Sequence, residues 1–164
     1  MITPPTSDAF RHAMSRFATG VAVVSTTAGP HDHAMTANSL TSVSLDPMLM
    51  LVCVERDARF HDAVIEAGVW GISFLGHSQR SLAGWLSTPG RPLPGQLDRV
   101  PHHRGEATGV PLIDDALATI ECRTSAVHAA GDHSIVVGEV LSVSAAAHAD
   151  EALIYYRSGY GAVT

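Results

Sequence analysis

The sequence contains no lysine: all ten of its basic residues are arginine, set against sixteen acids, for a formal net charge of −6. With no basic run, nucleic-acid binding through counterion release has no support. An anionic ligand would have to be met locally, by an Arg, a cluster of backbone N–H groups or a helix N-terminus. Cysteine is scarce too. Cys53 and Cys122 sit alone on apolar segments and form no CxxC pair, which reads as two small core residues of a reduced, cytoplasmic protein. No apolar run approaches ~18 residues, so no membrane span is expected. The opening MITPPTSDAF carries neither the basic nor the apolar region of a secretory signal. Also missing are the G-x-S-x-G elbow, the GxGxxG fingerprint and the GxxxxGK[ST] loop. Serine-hydrolase chemistry, a Rossmann dinucleotide site and a P-loop therefore have no basis here.

What is present is an apolar fraction of 46% with 16% charged residues over 164 positions, enough for one domain, 1–164, with a real core. Residues 7–19 place Phe10, Met14 and Phe17 on one helical face, with Ser7 as N-cap and Gly20 as the terminating residue. Short β-branched or apolar runs predict strands over 21–27, 48–55, 69–75, 118–127, 134–144 and 152–157, the second of them fully buried. Short helices are expected over 59–67, closed by Gly68, and over 78–86, capped by Ser78. The stretch 87–111 holds five of the nine prolines and four glycines. An irregular region of that length inside a compact domain reads as a lid or partner-embracing arm. Strands in runs, interrupted by two short helices, suit a small antiparallel barrel with helices outside it rather than a doubly wound sheet.

Ten histidines include the clusters HDH (31–33) and HHR (102–104), read as lying in Pro/Gly-rich loops. Neither offers a spaced third ligand, so solvated histidines are expected and no metal. The stretch AMTANSLTSVS (34–44) is harder to place, with six Ser, Thr or Asn side chains in eleven residues between strong strand signals. In an unbroken strand Thr36, Asn38, Ser42 and Ser44 share one face with Leu40, and Met35, Ala37, Ser39, Thr41 and Val43 share the other. Such a ledge would serve a flat heteroaromatic ring; a solvent-facing edge strand would be served equally well. His133, in GDHS, stands at the mouth of an apolar strand, where a solvated histidine is the commoner reading.

Six segments, in order, resemble the flavin reductase-like family with the FMN-binding split-barrel fold. They are FRHAMSRFATGVAVVST (10–26), MTANSLTSVSLDP (35–47), LVCVERDAR (51–59), GISFL (71–75), GDHSIVVGEV (131–140) and LIYYRSGY (153–160). The resemblance implies a mainly β fold, a six-stranded antiparallel split barrel with short flanking helices, forming a homodimer. It implies a reductase that moves a hydride from NADH or NADPH to FMN or FAD and supplies a partner flavin-dependent monooxygenase. Carried over by position, Met35, Thr36, Ala37, Asn38, Ser39 and Ser42 would lie along the ring and its side chain. Cys53, Val54 and Glu55 would touch it from the next strand, and Arg59 and Phe60 would approach the phosphate. Trp85 and Leu86 match positions on the flavin nucleotide. His133 matches a histidine near the nicotinamide, the one catalytic residue implied, and Arg157 and Tyr160 match its nucleotide segment. Other readings are a pyridoxamine-phosphate oxidase-like flavoprotein and a non-catalytic flavin- or tetrapyrrole-binding module.

Overall fold

The computed structural model describes residues 3–147 and 151–163, so both ends and residues 148–150 of the expected 1–164 domain lie outside the described residues. The chain runs through α1 (Ser7–Met14), β1 (Thr19–Gly20), β2 (Ala22–Ala28), β3 (His31–Ala37), β4 (Leu40–Leu45) and β5 (Met48–Glu55). Next come α2 (Arg59–Ala67), β6 (Val69–Phe74), one 3-10 turn (His77–Gln79) and α3 (Arg80–Ser87). Two short strands, β7 (His102–Arg104) and β8 (Pro111–Ile113), lead into the long hairpin β9 (Ala118–Ala130) and β10 (His133–Ala145). A second hairpin, β11 (Ala152–Tyr156) and β12 (Gly159–Val163), follows.

Seven strands pair in the order β3-β2-β6-β9-β10-β5-β4, all antiparallel. The two outer members, β3 and β4, are consecutive in the chain and separated only by Asn38 and Ser39. At that joint the Cys53 N–H donates to the Ser39 carbonyl at 3.0 Å. The sheet thus closes on itself. Taken as one bent strand, β3–β4 makes a six-stranded antiparallel barrel; by hydrogen-bonded neighbours there are seven strands.

The barrel interior is filled by Val24, Val52, Val54, Trp70, Ile72 and Val136, and Phe60 and Val64 of α2 join this core. A second cluster joins Val21, just before β2, and Val23 on the outer face of β2 to Ala83 and Leu86 of α3, with Leu97 and Ile113 beyond. The expectation that residues 48–55 are buried throughout is corrected here. Met50, Val52 and Val54 point inward, while Leu51, Cys53 and Glu55 are more open, the alternation of a strand with one covered face.

Other expectations also shift. Helix α1 ends at Met14 rather than residue 19, and its cap is Thr6, whose hydroxyl accepts from the Ala9 N–H at 3.2 Å. Gly20 belongs to β1 instead of ending that helix. The side chains expected to be its core face are exposed: Phe10 64%, Met14 48% and Phe17 65%. Residues 78–86 begin as the 3-10 turn, so Ser78 does not cap α3. His31–His33 and His102–Arg104 are strand residues, not loops. Strand β12 escaped notice because glycines 159 and 161 interrupt its apolar pattern.

The 87–111 stretch contains β7 and the first residue of β8, and it is fastened to the barrel at several points. Gln96, buried, donates to the Asp32 carbonyl at 2.7 Å and accepts from Arg91 Nε at 3.3 Å. The Ser25 hydroxyl donates to the Pro111 carbonyl, and the Ile113 N–H donates to Ser73 Oγ at 2.9 Å. Arg104 grips Asp32 through two parallel bonds of 2.7 and 2.8 Å. Burial raises the Asp32 pKa, but hydrogen bonds from Arg104 and Thr27 and the charges of Arg104 and His102 outweigh it, leaving it below the ordinary value of 3.8. A carboxyl whose folded pKa is depressed adds stability above its unfolded pKa and loses it as pH falls through the folded one. Arg104→Met is therefore expected to cost about 1 kcal/mol at pH 7, allowing for partial exposure of the pair. That deficit should shrink as urea unfolding is repeated below pH 4. A deficit independent of pH would show that the ion pair is not its source.

Candidate functional site

Three cavities lie along the β3–β4 bend and share residues end to end. The first, about 610 Å³, is bounded by His33–Thr36, by Glu55 and Asp57–Phe60, and by Leu86, Ser87 and the arm from Pro89 to Gln96. The second, about 380 Å³, takes over at Thr36 and runs past Ala37 and Asn38 to Tyr155 and Tyr160. The third, about 580 Å³, continues from Asn38 through Ser39 and Thr41 to Leu51 and Cys53, with Met14 and Phe17 at its side. Together they form one trough along the polar stretch.

The bend decides which side chains face it. Met35, Ala37 and Leu40 all pack against the barrel core, so the alternation slips by one residue at Asn38–Ser39. The Ser39 hydroxyl donates to the Cys53 carbonyl at 2.8 Å and fixes the slip; the Asn38 amide donates to Thr19 Oγ1 at 3.1 Å. Beyond it Thr41 lines the trough. Ser42, opposite Met50 in the register, lines none of the described cavities, whereas Leu40 and Thr41 line the third.

Charge is segregated along the trough. The second and third cavities carry Arg11 as their one charged side chain. The first holds Arg59, Arg91 and His33, and the N-terminus of α2 opens there with Ala58 as its cap residue and no side chain capping it. That helix end directs partial positive charge into the cavity. Arg91 spends its donors on neutral acceptors: Gln96 Oε1, the Thr88 carbonyl at 3.1 Å and the Ala34 carbonyl. Arg59 donates to the Arg91 carbonyl at 2.5 Å. Among the described residues no carboxylate forms an ion pair with either guanidinium. Burial, then the neighbouring Arg59 charge, pushes the Arg91 pKa below its usual value. Burial, then the charges of His31 and Arg59, likewise lowers that of His33, and Asp32 and Glu66 oppose this only in part. Glu55 and Asp57 line the same cavity, but two guanidiniums outside any ion pair and an open helix end still offer donors to an anionic group. The hydroxyls, amide and aromatic edges further along fit an uncharged, planar one.

Of the residues singled out from the sequence, Met35, Thr36, Ala37, Asn38, Ser39, Cys53, Glu55, Arg59, Phe60, Leu86 and Tyr160 line this trough. Thr36 gives its hydroxyl proton to the Ala83 carbonyl at 2.7 Å. Val54 is buried in the barrel and reaches the trough only through its strand neighbours. His133 lies across from Glu55 in the β10–β5 register and lines none of the described cavities. Its Nδ1 pairs with Asp132 at 2.7 Å, and that hydrogen bond, then the imidazole charge, lowers the Asp132 pKa. Arg157 and Ser158 form the β11–β12 turn with φ of 50° and 60°, the twist a two-residue hairpin demands, and the guanidinium lies 5.4 Å from the Tyr156 ring centre. Sequence reasoning gave no role to Tyr155, whose ring meets Tyr160 edge-on at 5.7 Å, or to Arg91 in the 87–111 stretch.

Trp85 faces elsewhere. With Leu82, Val100 and Ile113 it borders a cavity of about 790 Å³ that meets the trough only at Gln96. Asp98, Asp114 and Asp115 stand there against Arg99, the wrong balance for an anion, so the trough is the better site despite its smaller compartments.

Residues 14–164 match the family model described as flavin reductase like domain. An NADH-dependent FAD reductase of Streptomyces globisporus is 38% identical over 88% of this chain and 79% of that protein. The FMN reductase (NADH) SmoA of Agrobacterium fabrum is 40% identical over 93% and 83%. Among solved structures, BorF, the flavin reductase component of a bacterial two-component tryptophan halogenase, superposes with a TM-score of 0.90. It is 44% identical and covers 96% of this chain and 98% of its own.

Proposed function

This chain belongs to the flavin reductase-like family, and from that premise we propose that it oxidises NADH and passes the hydride to FMN or FAD, delivering reduced flavin to a partner flavin-dependent oxygenase. The observation that carries this reading is the segregated trough, with two guanidiniums outside any ion pair and an open helix N-terminus at one end and uncharged polar groups at the other. The nicotinamide and flavin supply the hydride chemistry themselves; the protein binds and orients them. Arg59 and the α2 N-terminus hold the flavin phosphate. Asn38, Ser39, Cys53 and the backbone at the bend receive the uncharged ring. His133, with Nδ1 engaged by Asp132, presents Nε2 to the nicotinamide amide. Arg157 and Tyr160 take the nucleotide's remaining part.

Mixing the protein with NADH or NADPH and each of FMN, FAD and riboflavin, and following nicotinamide absorbance, tests the reading. Oxidation with none of the pairs would overturn it and leave a flavin-binding module. In the same assay His133→Ala is expected to raise the KM for NADH about tenfold, the loss of one hydrogen bond to the amide. An unchanged KM with unchanged turnover would remove His133 from the site.

A homodimer accompanies this function. Phe10, Met14 and Phe17 are too apolar and too exposed for a lone helix. Val43, Leu45 and Met48 on the β4–β5 hairpin and Val143 on β10 are exposed as well. A second copy over α1 would cover Met14 and Phe17 and wall off the third cavity. Sedimentation at assay concentrations should give twice the chain mass; a monomer would reject the dimer. A reduced, cytoplasmic setting suits the two free thiols, Cys122 being inert because burial and the nearby Glu121 charge push its pKa up to about 12.

A further inference from the structure

We infer that His61 is a positioning residue for hydride transfer: its bond to Ser134 locks the helix end that holds the flavin phosphate to the strand entrance that carries His133. The inference rests on the flavin-reductase reading above and adds to it how the flavin and nicotinamide sites are kept in register.

The two sites come from distant parts of the chain, residues 55–60 and residues 132–134, and three contacts join them. Glu55 and His133 are partners in the β5–β10 register. The Arg56 N–H donates to the carbonyl of Asp132 at 3.0 Å, and the carboxylate of the same Asp132 holds His133 Nδ1 at 2.7 Å. The third contact sets His61 Nε2 at 2.9 Å from Ser134 Oγ, between residues 73 apart in the chain. Of the three, it alone reaches into α2, at the helix's third residue and two positions beyond Arg59. The His61 N–H donates back to the Ala58 carbonyl at 2.9 Å, so the first turn of the helix moves with the imidazole.

The chemistry of the three side chains gives the bond its sense. The Asp62 carboxylate, 2.8 Å from His61 Nδ1, can only accept, so Nδ1 carries the ring proton. Nε2 of the neutral ring then accepts from the Ser134 hydroxyl. Alternation along β10 does the rest. Ser134 is 4% exposed and bonded to the helix, whereas the His133 side chain, on the opposite face of the strand, is 41% exposed. One residue anchors the strand entrance, and its neighbour is offered to the nicotinamide. Carboxylate, imidazole and hydroxyl in this order also make nucleophilic relays, but Ser134 is buried and lines none of the described cavities, so no acyl group reaches its oxygen. His61 lines none of them either, and so acts through Arg59 and His133 rather than on a ligand. Two rings that exchange a hydride tolerate little displacement: a shift of about 1 Å can cost about a hundredfold in rate.

Steady-state rates with NADH and whichever of FMN and FAD is turned over faster test the link, beside titration of that flavin alone. His61→Ala is expected to raise both the flavin dissociation constant and the KM for NADH, and to lower kcat/KM about tenfold. Ser134→Ala should do the same by removing a single oxygen, and it carries the test on these constants if His61→Ala does not fold. In the double variant the loss should stay near that of either single one, because both remove the same bond. His61→Gln, whose amide can still meet the Ser134 hydroxyl, should recover most of the wild-type kcat/KM. Thermal midpoints are recorded alongside, since a merely structural role lowers the midpoint and leaves both constants of the folded enzyme unmoved. Additive losses, no recovery with glutamine, or a change in only one of the two constants would overturn the inference while the reductase reading stands. Wild-type protein that oxidises NADH with no flavin would sink that reading, and this inference with it.

Discussion

Trp70→Ala is expected to remove about 3–5 kcal/mol of stability, lowering the unfolding midpoint by roughly 10 °C or more. The indole is wholly buried, 0% exposed, at the centre of the barrel, where β6 runs between β2 and β9. Its surroundings cannot collapse into the space it leaves. Gly138 on β10 lies so close that a Cβ there would stand 2.7 Å from Trp70 Cζ2 and 2.8 Å from Cys122 Cβ. The strand passes at that distance because the residue is glycine, and hydrogen bonds on both sides of the barrel hold it there. A companion substitution isolates packing from polarity. Among the described residues the indole Nε1 has no hydrogen-bond partner, so the fold already bears the cost of an unsatisfied donor. Trp70→Phe loses some volume but also removes that donor, and is expected to cost only about 1–2 kcal/mol. Denaturant unfolding of the two variants checks this. Should the Phe variant fall as far as the Ala variant, an unseen partner such as a buried water holds the indole, and volume is not what matters.

Most of the barrel was readable from the sequence because β2, β5, β6, β9 and β10 carry β-branched or apolar residues between turn signals, and α2 because its apolar face is buried where the pattern puts it. What escaped has physical causes. Helix α1 has a clear apolar face, but periodicity says only that Phe10, Met14 and Phe17 share a side, not that this chain covers them. The polar stretch was legible as a ledge but not as a bend. One slip in alternation at Asn38–Ser39 exchanges Ser42 for Thr41 in the trough, and nothing in the residue types announces it. Trp85 and Leu86 are neighbours on α3, yet a helix turns ~100° per residue, so one faces the acidic cavity and the other the trough. Arg91 was visible only as a charge in a Pro/Gly-rich stretch. Its place in the first cavity depends on Gln96, which also bonds β3 and α3, and the bond to β3 joins residues 64 apart with no local signature.

Glu121→Gln should be nearly as damaging as Glu121→Ala, each costing about 3 kcal/mol, although the first alters a single atom. The carboxylate is 2% exposed and serves as the anchor of the 105–110 turn between β7 and β8. Oε1 accepts from the Ala107 N–H at 3.2 Å, and Oε2 accepts from the Thr108 N–H at 2.7 Å and the Thr108 hydroxyl at 2.6 Å. Every neighbour is a donor, so an amide cannot be turned to suit: whichever oxygen becomes NH₂ meets an N–H. Among the described residues no cation forms an ion pair with it; Arg123, the next base along β9, pairs with Glu139 instead. The turn is shaped to this one group, for a Cβ on Gly105 would lie 2.3 Å from Oε2. Thermal unfolding should show the midpoint falling by about 6–12 °C for both variants. Amide exchange at Thr108 should quicken more than at Val52 in the barrel wall, because the turn can open while the barrel stays closed. A glutamine variant as stable as the wild type would mean that the charge contributes nothing, and that shape alone holds the turn.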